Sequence, residues 1–184
     1  MQEKLDMNET KRVFIALPLP QEIQEKIWES TGKKLPKGQL SVVDKGNLHV
    51  TLCFLGNRTP EEQKKAEHAL EKIKQKPFEV GLFGISHFDK RVLFLQITSG
   101  AGELEKISME LAEQTGMCEG KFHSHVTLAR NKKMRPEEFV KFVEKLGKGK
   151  EKLVFLAKET VLFESRLSPR GAVYAPVFSK ELEE

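Results

Sequence analysis

One tetrapeptide occurs twice in this chain of 184 residues, as His49-Val50-Thr51-Leu52 and as His125-Val126-Thr127-Leu128. Five histidines make ten pairs, and with ~0.06 chance of identity at each of three following positions an accidental copy is expected ~0.002 times. A chain with the same signature twice is read as two copies of one folding unit. The match continues in register beyond the motif: Pro60-Glu61-Glu62 begins eleven residues after the first histidine, and Pro136-Glu137-Glu138 eleven after the second. Upstream, Arg12-Val13-Phe14-Ile15-Ala16-Leu17 parallels Arg91-Val92-Leu93-Phe94-Leu95-Gln96, and downstream residues 78–88 parallel 153–165. Each half reads strand, helix, histidine strand, helix, strand.

The expected fold is therefore α+β, with duplicated strand-helix-strand units forming two lobes whose antiparallel sheets line a central cleft. The repeats fall at about 12–88 and 91–178 in one domain of 12–184, after a flexible N-terminus over 1–11. The first strand spans 13–17 and stops at Pro18 and Pro20. A helix over 21–34 follows, with Ile23, Ile27 and Trp28 on one face and Trp28 as a core anchor. Residues 35–38 form a loop and 44–47 a turn before the first histidine strand at 48–55. Thr59-Pro60-Glu61-Glu62 has the form of a capped helix start, with threonine as cap and glutamate completing a capping box, and the helix runs to about residue 75. Strands at 78–88 and 91–98 flank a turn at Asp89-Lys90, and a helix covers 103–115. The second histidine strand spans 122–130 and its partner helix 136–146, broken by Gly147 and Gly149. One long strand at 153–163 and a turn at Ser168-Pro169-Arg170-Gly171 lead to a return strand at 173–178.

Successive side chains of a strand point to opposite faces. His49 and Thr51 thus share one face and Val50 and Leu52 the other; His125 and Thr127 likewise oppose Val126 and Leu128. If a pseudo-twofold axis relates the halves, two imidazoles and two hydroxyls converge in the groove. Histidine's ordinary pKa near 6.5 lets such a pair hold one neutral and one protonated ring near neutrality. The neutral ring activates a water, the protonated one supplies a proton to a departing alkoxide, and the threonines hydrogen-bond a phosphoryl group between them. This is a constellation for phosphodiester cleavage that needs no metal or other cofactor.

His68, His87 and His123 lack a repeated context and are read as structural, although His123 shares a face with His125. A zinc site from His49, His123 and His125 would have no need of a threonine two residues after each motif histidine. Cys53 is no nucleophile of a duplicated site, because Ala129 stands in its place in the second half. Cys53 and Cys118 have no metal spacing and are read as reduced thiols. No apolar run approaches the roughly 20 residues that span a bilayer, and the polar start, followed by Pro18 and Pro20, does not fit a signal peptide. The expectation is a cytoplasmic monomer with no membrane partner. A formal charge of +4 favours a polyanionic partner.

At these residues the sequence resembles the two-histidine phosphoesterases, whose hallmark is a pair of His-x-Thr-x motifs. Within them it is most similar to the RNA 2′,3′-cyclic phosphodiesterases, also called 2′-5′ RNA ligases. The resemblance runs from Arg12 onward through both motifs to Leu162-Phe163-Glu164-Ser165 and Tyr174. It implies a bilobal fold and hydrolysis of an RNA 2′,3′-cyclic phosphate end, as on tRNA halves, or of a cyclic nucleotide, to a 2′-phosphate. It further implies His49 as proton donor, His125 as proton acceptor, and Thr51, Thr127 and Arg130 as substrate-binding residues. Strict alternation turns Arg130 away from His125, so that role requires a bend in the strand. Ser124 departs from the family, where proline is common. Two other functions fit the same residues: 2′-5′ ligation of RNA halves that bear a cyclic phosphate, and an RNA- or nucleotide-binding module without turnover.

Overall fold

The computed structural model describes residues 9–147, 151–168 and 171–183. Most of the expected flexible N-terminus, Gly149, and Pro169 and Arg170 of the expected turn lie outside these. Along the chain run β1 (Lys11–Pro18), α1 (Gln21–Ser30), β2 (Leu40–Val42), β3 (His49–Arg58), α2 (Pro60–Glu71), β4 (Phe78–Phe88) and β5 (Val92–Ser99). They are followed by α3 (Ala101–Thr115), β6 (His125–Asn131), α4 (Pro136–Gly147), β7 (Leu153–Ala157), β8 (Glu159–Ser168) and β9 (Gly171–Glu181). The capping box at the start of α2 is present: Thr59 Oγ1 accepts from the Glu62 N–H, and Glu62 accepts from the Thr59 N–H. The β4–β5 hairpin turns at Asp89 and Lys90, both at positive φ (47° and 56°), a backbone twist that matches the strands it joins.

Among the described residues the strands form one nine-stranded sheet in the order β7-β4-β5-β6-β3-β1-β8-β9, with β2 also on β6. The order is a palindrome of the sequence repeat. β6 mirrors β3, β5 mirrors β1, β4 mirrors β8, and the added strands β7 and β9 close the two ends. Each half of the sheet consequently mixes the repeats: β4 of the first joins β5 and β6, and β8 of the second joins β1 and β3. Among the described residues Val50 opposite Val126 is the one register pair between β3 and β6, so the sheet nearly parts there. The face carrying Val50, Leu52, Leu55, Val126 and Leu128 is buried in the core; the other faces the cleft.

The motif strands share one irregularity. Ile15 pairs with Cys53 and Ala16 with Thr51, which leaves Leu52 unpaired on β1. Leu93 pairs with Ala129 and Phe94 with Thr127, which leaves Leu128 unpaired on β5. Each motif therefore ends in a β-bulge, which resets the alternation of faces. Leu52 and Cys53 are buried in succession, as are Leu128 and Ala129, and the residues after them, Phe54 and Arg130, return to the cleft side. The strand bend required to bring Arg130 beside His125 is this bulge. Its carbonyls have donors in both copies: Ser108 Oγ on α3 donates to Leu52 O at 2.7 Å, and the Val43 N–H to Leu128 O at 2.9 Å.

Several boundaries differ from the sequence reading, for tertiary reasons. The expected long strand at 153–163 divides at Lys158, because β7 pairs with β4 and β8 with β1, and one extended run cannot serve both. α1 ends at Ser30, and a 3-10 turn over Gly32–Lys34 follows. Gly32 packs on the Trp28 ring, where a Cβ would overlap it; Trp28 is half-buried against this turn and is not a core anchor. β2 was not legible as a strand, since its three residues are ordered by pairing with β6. The thiols expected to be reduced are joined in a Cys53–Cys118 disulfide with Cα atoms 5.1 Å apart. Their separation of 65 residues hides a proximity that the fold creates.

Removing the Ser108 hydroxyl strands the buried Leu52 carbonyl at the bulge. Ser108→Ala is expected to cost about 1–3 kcal/mol, measured by urea unfolding. An unchanged midpoint would mean that another donor takes the carbonyl.

Candidate active site

In antiparallel pairing, residues flanking an opposed pair face each other in reverse order. With Val50 opposite Val126, His49 lies toward Thr127 and Thr51 toward His125, on the cleft face. Both rings are anchored in the same way. His49 Nδ1 is 2.6 Å from Asn47 O, and His125 Nδ1 is 2.7 Å from His123 O. Each Nδ1–H donates to the carbonyl two residues earlier, which leaves Nε2 to accept or release a proton. His49 Nε2 lies 3.0 Å from Thr51 Oγ1, so the hydroxyl donates to the neutral ring and accepts from the protonated one.

Aromatic rings wall each imidazole. Phe14 and Tyr174 stand 5.0 and 5.4 Å from His49, and Phe88 and Phe94 stand 5.0 and 5.4 Å from His125. This burial pushes both histidines below the ordinary imidazole value, against the backbone hydrogen bonds that hold them up. Like charge adds to the depression: His125 acts on His49, while His123 and Arg130 act on His125. Burial pushes the Tyr174 phenol up, opposed by Arg130 and Arg12.

A cleft of about 430 Å³ is lined by Thr51, His125, Thr127 and Arg130 together with Phe54 and Lys121. His49 joins it through its hydrogen bond to Thr51. All five residues expected at the site are thus brought together. The copies differ after the bulge, where Arg130 has Phe54 as its counterpart, beneath the Arg12 guanidinium at 5.0 Å. Of the other histidines, His68 and His87 lie elsewhere, whereas His123 lines the cleft with its ring 5.7 Å from that of His125. His68 Nδ1 bonds the Lys64 carbonyl on α2, and the His87 ring lies 6.1 Å from Phe139. His123 stacks edge-on against Phe88 at 4.6 Å and lends His125 its carbonyl. Among the described residues no three His, Cys, Asp or Glu side chains assemble as a metal-ligand group. Sequence reading missed Tyr174 and the carbonyls of Asn47 and His123. The carbonyls had a usable signal, since both stand two residues before a motif histidine.

The chain matches the family described as the 2′-5′ RNA ligase superfamily over residues 19–167. It belongs to the 2′-5′ RNA ligase superfamily. A relative from Methanocaldococcus jannaschii named RNA 2′,3′-cyclic phosphodiesterase is 27% identical, over 89% of this chain and 96% of its own length. One of the same name from Thermus thermophilus is 31% identical, over 89% and 86%. Among solved structures, E. coli LigT complexed with 3′-AMP is similar with a TM-score of 0.76 at 25% identity, covering 96% of this chain and all of that one. Among the described residues no helix is long and apolar enough to cross a membrane.

In this member of the 2′-5′ RNA ligase superfamily, two hydroxyls, two imidazoles and a guanidinium surround a space suited to a phosphoryl group. Hydrogen bonds to a charged group are worth about 1.5–3 kcal/mol. Inorganic phosphate should therefore bind roughly tenfold or more weakly to Arg130→Ala, and to Thr51→Val or Thr127→Val, than to the wild type, read from the imidazole NMR shifts. Equal affinity in all three variants would place the anion elsewhere.

Proposed function

We propose that the protein hydrolyses RNA 2′,3′-cyclic phosphate ends to 2′-phosphates without a metal, with His49 as proton donor and His125 as proton acceptor. The observation that carries this reading is the Val50–Val126 pairing, which turns two His-x-Thr pairs toward one cleft in opposed order. The activity named in the relatives' descriptions supports the substrate class, an RNA with a cyclic phosphate end.

In the reaction, His125 Nε2 removes a proton from a water as its oxygen attacks phosphorus. The bond from phosphorus to the ribose 3′-oxygen breaks, and His49 Nε2–H protonates that oxygen. The product is a 2′-phosphate beside a free 3′-hydroxyl. His125 is left protonated and His49 neutral, and proton exchange with solvent resets the pair. Thr51 and Thr127 hydroxyls donate to the non-bridging oxygens, where charge accumulates. Thr51 exchanges its contact with His49 for one with the phosphate.

The pseudo-symmetry leaves the division of labour open, and the charges around the rings support one choice. Arg130 disfavours an imidazolium at His125, which suits a base. An anionic phosphate entering the cleft favours an imidazolium at His49, which suits an acid in the complex even though burial lowers its pKa in the free protein.

Two expectations follow from these roles. His49→Ala and His125→Ala should each lower turnover of a cyclic nucleotide roughly 10²-fold or more, with 2′-phosphate formation followed by 31P NMR, while His68→Ala should not; a fully active His125→Ala enzyme would sink the assignment. The pH profile of kcat/KM should be a bell displaced to the acid side of the usual imidazole value, since both free-enzyme pKa values are depressed. In kcat the alkaline limb, which reports loss of the His49 proton, should lie at higher pH because the bound phosphate raises that group. Prolonged EDTA dialysis should change neither profile. Activity lost on dialysis and restored by zinc would overturn the mechanism.

A further inference from the structure

The segments leading into the two motif strands are fastened by different bonds at equivalent places. Before β3, the chain runs as β2 along β6, with Val42 opposite Ala129 and Ser41 opposite Arg130. Before β6, residues 117–124 form no strand. They are tied to β3 by the Cys53–Cys118 disulfide and by the Glu119 N–H, which donates to Phe54 O at 2.7 Å. The offset that carries His49 onto His125 also carries Val42 onto Cys118 and Cys53 onto Ala129. A covalent bond in one half thus stands where a strand pairing stands in the other. Each fastened segment then supplies the carbonyl that orients its histidine, Asn47 O for His49 and His123 O for His125.

The other ties of 117–124 are noncovalent: Met117 and Phe122 pack against the core, and the His123 ring lies edge-on to Phe88 at 4.6 Å. Arg58 Nη2 donates to Met117 O at 3.3 Å and meets Glu119 at 3.4 Å, and surface ion pairs are worth at most about 1 kcal/mol. Gly120 turns at a φ of +79° and begins the span to Ser124. The disulfide is the strongest bond upstream of His123 that fixes this wall of the cleft to β3.

We infer that the Cys53–Cys118 disulfide is a positioning element for His125, and that its reduction slows turnover by releasing the His123 carbonyl from the His125 ring. The inference rests on the acid–base reading above. Cys118 is half-buried on the cleft wall, so a small dithiol reaches the bond from the cleft. The dithiol supplies two electrons and two protons; the protein S–S bond breaks, two S–H groups form, and the dithiol closes into its own disulfide. The freed segment then lets Nδ1 exchange its fixed partner for water, and Nε2 no longer points reliably at the attacking water. Misplacing a reacting group by about 1 Å through a change away from the chemistry can cost up to about 10²-fold in rate. Release removes the carbonyl bond that favours the protonated ring, but it also admits water to the ring and moves the His123 charge away. Burial is the largest cause holding the group down, so the His125 titration moves back up toward the ordinary imidazole value. The charged groups facing that ring are His123, Arg130, His49 and, on the same wall, Glu119 and Lys121.

The test compares oxidised protein, the same protein after dithiothreitol treatment, Cys53→Ala and Cys118→Ser. Alanine already fills the equivalent site at residue 129. Intact mass reports the thiol state, imidazole NMR reports the His125 titration without substrate, and kcat and KM are measured on a cyclic nucleotide. The expected result is a kcat lower by about tenfold, a KM within about twofold, and a His125 titration shifted to higher pH in all three altered forms, with reoxidation restoring only the wild type. Two free thiols with unchanged kcat and unmoved titration overturn the inference, as does a lowered Tm alone, which marks a merely structural bond. If a variant fails to fold, the reduced wild type carries the test. An oxidised protein inactive on cyclic phosphates, whose His125 titration still shifts on reduction, would sink the proposed reaction and leave the positioning role standing.

Discussion

The whole site depends on one backbone pairing, Val50 against Val126. It is the sole register pair between the two halves of the sheet among the described residues. Because it is antiparallel, it places each motif histidine toward the threonine of the other copy, an order that a parallel pairing would not produce. Both valines are fully buried, and a slip of one residue in either strand would turn that strand's histidine into the core. The apolar residues of the motifs therefore specify the polar geometry on the opposite face. The bulges at Leu52 and Leu128 extend this control, for they bring the following residues, Phe54 and Arg130, back to the cleft.

In the proposed reaction two near-equivalent histidines must differ to serve as acid and base, and one difference between their surroundings stands just after the bulge. After the bulge the second copy has Arg130, whereas the first has Phe54 with Arg12 above it. Two features of the surroundings are matched, a pair of aromatic rings at similar distances and a backbone carbonyl on each Nδ1. Apolar walls disfavour a charged ring in the empty cleft, and an arriving phosphate offsets that penalty on the ring it adjoins. On the proposed reading the site is thus poised for an anion.

Duplication also explains why the halves hold together. The repeats exchange their last strands, β4 and β8, so neither repeat completes its half of the sheet alone. The cleft is consequently built from segments distant in sequence on both walls. Where one half orders its approach segment as β2, the other relies on a disulfide between Cys53 and Cys118. The same mechanical requirement, a fixed carbonyl behind a histidine, is satisfied by backbone pairing in one copy and by sulfur in the other.

The sequence alone determined what depends on local pattern. The repeat, its face-by-face alternation, the capping box at Thr59 and Glu62, and the five candidate residues that the fold brings near one another were all legible, because helix and strand periodicity and motif identity are properties of neighbouring residues. Tertiary structure decided whatever depends on which strand lies beside which. The long run at 153–163 divides only because its two parts pair with β4 and β1. β2 exists only because β6 is beside it, and the thiols meet only because β3 and the segment before β6 share a wall. Strict alternation pointed Arg130 the wrong way, since a bulge is visible only as an unpaired residue between two strands. Pairing energy is gained between residues far apart in the chain, so the spacing along the chain does not encode it.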